Sequence, residues 1–520
     1  MDSARWPRYF SKADTKQTLN RRNGWEVLDG YETASPPQRG SGHSKRFFAS
    51  LVVFASLTLV AIVASGRGDA NKCLYDCTPY EVHLSLMSDP SSVRVTWRTN
   101  TEDCGTLVLY QKARRAYRWG TDLLSYFGWS IPRAFAVESR HSSNDVCGSP
   151  ANETSFSLNM YSAVLTGLEP GVGYIYMLSG GCDEYEFTAP LGVGPQVADF
   201  EFVAFGDMGT GPGQNLMVAA LGAEAAEHDP RFVFLNGDLA YAHGDNGVWE
   251  EFMDQIESVA SHVPWMVSTG NHEYAMSLDL ERDHWGLEPF RPKYAPEDYG
   301  LKNDGGGECG TQLAWRFPML EEGALTLRST EPPKPGAAFP PFWYAFEYGA
   351  AHFIALSSEH DLAEGSLQRI WLEKDLASVD RCKTPFVVVF HHRAFKTPPF
   401  WPTTFEREFL APVVEDLFTE NGVDLIVGAH QHLYYRGCAF GEGSCEDEGI
   451  MEVVIGTGGH QLTEVPDGLE NEYIPKLGYG RFTVGAKDII FEFVEAEGRD
   501  TLDSFTLGSK ELCSQSQEWR

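Results

Sequence analysis

Positive charge is scarce in this 520-residue chain: 41 Lys and Arg stand against 73 Asp and Glu, a net charge of −32. Without a general basic surface, nucleic-acid or anionic-membrane binding by long-range attraction is excluded. A phosphate-bearing substrate would need local positive charge, which a bound metal could supply. The cysteines form no CxxC pairs, so nothing points to a zinc ribbon. Disorder as a whole is excluded too, because hydrophobic residues (42%) and charged residues (22%) sit near the globular average. The length alone suits two to four domains of roughly 100–200 residues.

One stretch lacks charge altogether. Residues 47–65 read FFASLVVFASLTLVAIVAS, and at about 1.5 Å per residue a helix of that length nearly crosses a hydrocarbon core of roughly 30 Å. The preceding polar tail, 1–46, is longer than a signal-peptide n-region and reads as disordered and cytoplasmic. The run is therefore read as an uncleaved signal-anchor, a single transmembrane helix. The small residues Val63, Ala64 and Ser65 keep cleavage and secretion as the alternative. The tail carries nine basic and five acidic side chains, with Lys45 and Arg46 abutting the run. The positive-inside rule then gives a type II topology, with the remainder, at −36, lumenal or extracellular. All ten cysteines lie beyond the run, as expected for disulfides in an oxidising compartment, and Cys438 and Cys445 are close enough for a local loop. Asn152-Glu153-Thr154 is a glycosylation sequon.

Between residues 73 and 192, short alternating runs such as SVRVTW (92–97) and GYIYML (173–178) are separated by turn signals, the pattern of a small β-sandwich. Residues 112–150 break that rhythm and read as an insertion packed on it. From 198 to 510 the strands become continuous apolar runs alternating with helix-like segments, which points to an α/β domain with parallel sheet. The Gly- and Pro-rich stretch at 278–342 reads as a long excursion over the active face.

Five of those runs end in metal-capable side chains. FEFVAF leads into Gly206-Asp207, RFVFLN into Gly237-Asp238 and Tyr241, and PWMVST into Gly270-Asn271-His272. PFVVVF leads into His391-His392, and DLIVGA into His430-Gln431-His432. Ligand sites in open α/β sheets gather outside the carboxyl ends of strands. Each residue alone has a bland reading, as a turn aspartate or a satisfied core histidine. Two aspartates, a tyrosine, an asparagine and three histidines in one region do not. Two cations about 3.5–4 Å apart can clamp an ester phosphoryl group, with carboxylate and phenolate suiting a hard trivalent ion and imidazole and amide a softer divalent one.

The ordered motifs GDxG, GDxxY, GNH(D/E), VxxH and GHxH resemble those of the purple acid phosphatases, within the metallophosphoesterase superfamily and closest to its large plant-type members. The resemblance runs from about Thr78 to Phe505. It implies a fibronectin III-like sandwich followed by a four-layer αββα metallophosphoesterase domain. It also implies that Asp207, Tyr241 and His432 hold Fe(III), that Asp238 bridges, and that Asn271, His392 and His430 hold a divalent zinc, iron or manganese. His272 would then bind the phosphate or serve as general acid, and a metal-bound hydroxide would attack a phosphate monoester. His391 stays a candidate beside His392, although His392-Arg393 matches the family's His-Arg variant. Ala429 stands where the family has glycine, Ala394 where proline often follows, and Lys396 and Thr397 occupy the usual rim positions. His243, His360 and His460 lie near the motifs without a spacing that requires metal. Some family members form homodimers. Two other readings of the same residues are a nucleotide phosphodiesterase or pyrophosphatase, and a catalytically dead cell-surface binding protein.

Overall fold

The computed structural model describes residues 77–113, 132–274, 285, 287, 304–320, 332–402, 405–440 and 449–510. The chain divides into two units, 1–71 and 72–520. The first unit, with the expected tail and the expected span at 47–65, lies outside the described residues. Among the described residues no helix is long and apolar enough to cross a membrane.

Two four-stranded antiparallel sheets make the sandwich. One runs in the order β1 (Tyr80–Leu86), β2 (Val93–Thr99), β6 (Ser157–Leu165), β5 (Val137–Ser142). The other runs β4 (Arg133–Phe135), β3 (Leu107–Lys112), β7 (Gly173–Leu178), β8 (Tyr185–Thr188). Alternation drives the packing: Val82, Leu84, Val95, Trp97, Val108 and Tyr176 from facing strands form one buried cluster. The supposed insertion at 112–150 is in part sandwich. Its residues 133–142 supply β4 and β5, one strand to each sheet, while 114–131 lie outside the described residues.

The second half is built on two six-stranded sheets. In the first, β11 (Trp265–Ser268), β10 (Val233–Asn236) and β9 (Phe200–Phe205) are parallel, and β18 (Gly478–Val484), β19 (Asp488–Glu495) and β20 (Thr501–Gly508) continue antiparallel. In the second, β13 (Ala351–Leu356), β14 (Phe386–Arg393), β15 (Leu425–Ala429) and β17 (Ile450–Ile455) are parallel, flanked by antiparallel β12 (Tyr344–Tyr348) and β16 (Tyr434–Phe440). Strands buried on both faces must be apolar throughout, which is why these runs show no alternation. Phenylalanines fasten the sheets face to face: Phe234 stacks on Phe390 at 3.6 Å, and Phe202, stacked within its own sheet between Phe232 (4.9 Å) and Phe482 (4.5 Å), meets Phe353 of the other sheet edge-on at 5.3 Å. Each such ring contributes roughly 2–3 kcal/mol by burial.

Helices cover both outer faces, completing four layers. On the first sheet lie α1 (Pro212–His228), opened by Pro212 and rich in alanine, and α2 (Asn246–Ala260), capped by Asp245 accepting from the Gly247 N–H at 2.8 Å. On the second lie α5 (Leu367–Leu376) and α6 (Ala411–Glu420), which follow the short helices α3 (Asn271–Tyr274) and α4 (Thr311–Arg316) in the chain. Trp371, Leu372, Val414 and Phe418 of α5 and α6 pack on Val387, Val389 and Ile426.

The sandwich is bonded to this domain at many points. The Tyr176 hydroxyl donates to the Ser261 carbonyl at 2.8 Å, His83 Nε2 lies 2.6 Å from the Arg316 carbonyl, and His141 stacks on Trp315. A disulfide joins Cys147 to Cys309, and another, Cys77–Cys104, lies within the sandwich. Cys182, Cys382 and Cys438 are disulfide-bonded as well, and Cys445 lies outside the described residues.

Candidate metal centre

Every strand-end motif opens at the same edge of the two sheets. Asp207 follows β9, Asp238 and Tyr241 follow β10, Asn271 and His272 open α3 after β11, His392 ends β14, and His430 and His432 follow β15. Asp207, Asp238, Tyr241 and His430 have φ of 62°, 52°, 54° and 69°. Such left-handed backbone at non-glycine residues costs on the order of 1–3 kcal/mol each and gathers at functional sites. The motif glycines are required by close approach: a Cβ on Gly237 would strike the His392 ring, and one on Gly270 the Asp238 carboxylate. Ala429 is buried, and its methyl group lies against Gly206.

Two half-sites result. In the first, the Tyr241 hydroxyl donates to Asp207 Oδ1 at 3.0 Å and lies 2.9 Å from His432 Nε2, which is itself 3.2 Å from Asp207 Oδ1. In the second, ligand atoms of Asp238, His392 and His430 come within 4.8 Å of one another. Asp238 lies at its centre: His392 Nε2 is 3.3 Å from Oδ2, His272 Nε2 is 3.8 Å from Oδ2, and the His272 N–H donates to Oδ1 at 2.9 Å. Asn271 turns its Nδ2 to Asp304 at 3.2 Å, leaving its buried Oδ1 without a hydrogen-bond partner.

The donors fit a pair of cations. Asn271 Oδ1 is a buried atom lacking a hydrogen-bond partner, the state expected of a ligand, and buried His392 Nε2 faces the Asp238 carboxylate. His392 Nδ1 meets the Asn236 carbonyl at 2.8 Å and His432 Nδ1 the Gln461 carbonyl at 2.6 Å. Each contact assigns the proton to Nδ1 and leaves Nε2 as a lone-pair donor. Burial opposes charge on His392, yet the Asp238 carboxylate raises it to about 10. Burial would raise the Asp238 carboxyl, but His392 and His272 hold it well below its usual range. Burial, then Asp207 and Asp238, push the Tyr241 phenol well above its usual value.

Of the two adjacent histidines, the structure brings His392 to Asp238. His391 points the other way, stacked on Phe395 at 4.6 Å with Nδ1 on the Arg393 carbonyl. His243 reaches His272, with Nε2 2.7 Å from Nδ1, and His460 stacks on Tyr241 at 3.8 Å. His360 is buried away from the ligands among Tyr274, Phe342 and Trp343 and bonded to Ser357. Lys396 lays its side chain over Gly437, and Thr397 is buried. Asn152 is exposed on a short 3₁₀ turn.

Sequence reasoning missed the carboxylates behind the ligands. Glu273, fully buried, accepts the N–H groups of Asp238 (2.8 Å), Leu239 (2.7 Å) and Gly270 (2.9 Å). Glu359 holds Arg393, and Arg393 holds His430. Glu273 stands inside a recognisable motif, which was its signal. The Glu359 contact joins distant segments and had none.

Comparison with known proteins agrees with this geometry. Residues 79–189 match the family described as purple acid phosphatase, N-terminal domain, and 200–434 that described as calcineurin-like phosphoesterase. From Arabidopsis thaliana, a protein named probable inactive purple acid phosphatase 9 is 29% identical over 73% of this chain and 57% of its own length. A nucleotide pyrophosphatase/phosphodiesterase of Hordeum vulgare is 26% identical over 62% of this chain and 86% of its own. The chain spans 57–60% of the length of the first curated relatives it matches. The fold is shared with the purple acid phosphatase PPD1 of yellow lupin seeds (TM-score 0.66, 23% identity, 84% of this chain and 75% of that one). With both domains matched in order and the motif residues gathered at one sheet edge, the chain belongs to the purple acid phosphatase family of metallophosphoesterases.

Proposed function

We propose that the chain is an acid phosphatase acting on phosphate monoesters. One observation carries the reading: seven side chains of the required types, Asp207 and Asp238 among them, come from five strand ends to one edge of the sheets. Asp207, Tyr241 and His432 would hold Fe(III), Asn271, His392 and His430 a divalent zinc, iron or manganese, and Asp238 would be shared. Such a pair supplies electrophilic activation of the phosphoryl group and a nucleophile at moderate pH.

The chain's own residues do the rest. His272 stands beside Asp238 at the mouth, where it can donate a proton to the leaving oxygen. His243 bonds to its Nδ1 and fixes the ring. Glu273 holds the Asp238 turn, so the carboxylate need not reorganise during the reaction. The expected span at 47–65 would place this domain outside the cytoplasm. The disulfides Cys77–Cys104 and Cys147–Cys309 support an oxidising compartment, where the exposed Asn152 could be glycosylated.

The barley relative favours a second reading, a nucleotide phosphodiesterase or pyrophosphatase on the same ligands. The test combines metal content, a visible spectrum and turnover of a monoester against a bis-ester. Two metals, a mid-visible band abolished by Tyr241→Phe, and faster monoester turnover are expected. A colourless protein with two zinc ions defeats the Fe(III) assignment, preference for the bis-ester defeats the monoester reading, and metal without turnover on either substrate defeats both.

A further inference from the structure

The three histidines of the centre are not prepared alike. His392 and His432 each place Nδ1 on a backbone carbonyl, which leaves Nε2 free to bind a cation. His430 instead meets Arg393, whose Nη1 lies 2.9 Å from its Nε2. A guanidinium has donors only, so Nε2 must be the acceptor in this contact.

We propose that Arg393 is a built-in competitor of the divalent cation, so that the half-site of Asn271, His392 and His430 loads more weakly than that of Asp207, Tyr241 and His432. A neutral imidazole bound to a metal gives one nitrogen to the ion and keeps a proton on the other. If the cation takes Nε2 of His430, it displaces Arg393 directly. If it takes Nδ1, Nε2 carries the proton and two donors face each other. Either way the contact breaks.

Moving Arg393 off His430 disturbs its ion pairs. Its Nε and Nη2 fork onto Glu359 at 2.8 and 3.3 Å, and Glu406 lies 3.7 Å from Nη1. Both carboxylates are buried, at 0% and 1% exposure, and drawing the guanidinium away from them would remove positive charge from beside buried negative charge. Glu406 also lies 4.0 Å from His430 Nε2, where it can accept the ring proton once Arg393 has moved aside. Arg393 and Glu406 thus serve alternative states of His430. Losing a charge-assisted hydrogen bond corresponds to about ten- to hundredfold in affinity.

This inference rests on the metal-centre reading, and its readout is affinity, not turnover, so an inactive enzyme would leave it standing. The full chain, stripped by chelation, is titrated with Zn²⁺ against a chromophoric chelator. Wild type is expected to bind one tight and one weak equivalent, and Arg393→Met to tighten the weak one about ten- to hundredfold while leaving the tight one unchanged. If Arg393→Met fails to fold, the double variant Arg393→Met/Glu359→Gln, which removes the forked ion pair as a unit, should show the same gain. Two equally tight equivalents in wild type, or no gain in a folded variant, would overturn the proposal.

Discussion

Replacing Glu273 by glutamine should weaken the fold and the metal site together. The carboxylate is fully buried and its two oxygens are divided: Oε1 accepts from Leu239, and Oε2 from both Asp238 and Gly270. An amide has one acceptor oxygen and one donor nitrogen. In its better orientation glutamine keeps the Asp238 and Gly270 bonds and turns its NH₂ against the Leu239 N–H. One backbone N–H then loses its acceptor and faces an NH₂ that has none either, at about 1–3 kcal/mol or more; the other orientation strands two backbone N–H groups. The same bonds hold Asp238 at φ 52°, so a loosened turn also moves the carboxylate that receives the His272 N–H. Urea unfolding should show a loss of about 1–3 kcal/mol, and competition with a chelator a metal affinity at least about tenfold lower. An unchanged unfolding midpoint together with unchanged metal retention would refute the argument that these three bonds hold the Asp238 turn.

Glu308 should make stability depend on pH. Its buried carboxyl accepts from the Gly244 N–H and Trp249 Nε1, and burial, opposed by these bonds, raises it from the usual 4.5 to about 7. A native pKa above the unfolded one adds stability that is full below about 4.5 and lost as pH rises through about 7, up to about 3 kcal/mol. Urea unfolding at pH 5 and 7.5 should therefore show Glu308→Gln gaining on wild type at the higher pH, and a difference independent of pH would contradict the sign. Phe390→Ala should cost about 3–5 kcal/mol because it empties the stack with Phe234 between the sheets. Phe135→Ala, on a side chain 69% exposed, should stay within about 0.5 kcal/mol in the same assay.

The metallophosphoesterase half was readable because doubly covered strands leave unbroken apolar runs, and three of the five motif runs stop at a glycine, of which Gly237 and Gly270 are demanded by the close packing of the site. The histidine pair shows where that reading ends. Along β14, Phe390 and His392 share a face by the two-residue period of a strand, and His391 takes the other. The sequence carries that parity, but only the packing of Phe390 on Phe234 and of His391 on Phe395 decides which face meets Asp238. Strands β4 and β5 were missed because RAFAVESRHS has little apolar alternation and is held by pairing with β3 and β6. The chain Glu359–Arg393–His430 joins residues from three separate strand ends, and no local pattern announces it.

The Cys147–Cys309 bond spans 162 positions and ties the sandwich to a loop whose neighbour, Glu308, holds the backbone just beyond Tyr241. Beside it, Cys147, Gly148 and Ala151 donate to the carbonyls of Gly307 and Gly306. The boundary between the two modules is therefore no line for cutting. A fragment beginning at residue 198 would keep every metal-capable side chain yet carry an orphan thiol and an unbraced loop three residues from one of them. For anyone shortening or transplanting the metallophosphoesterase domain, the sandwich has to travel with it, as the brace of the loop that holds Gly244 just beyond Tyr241.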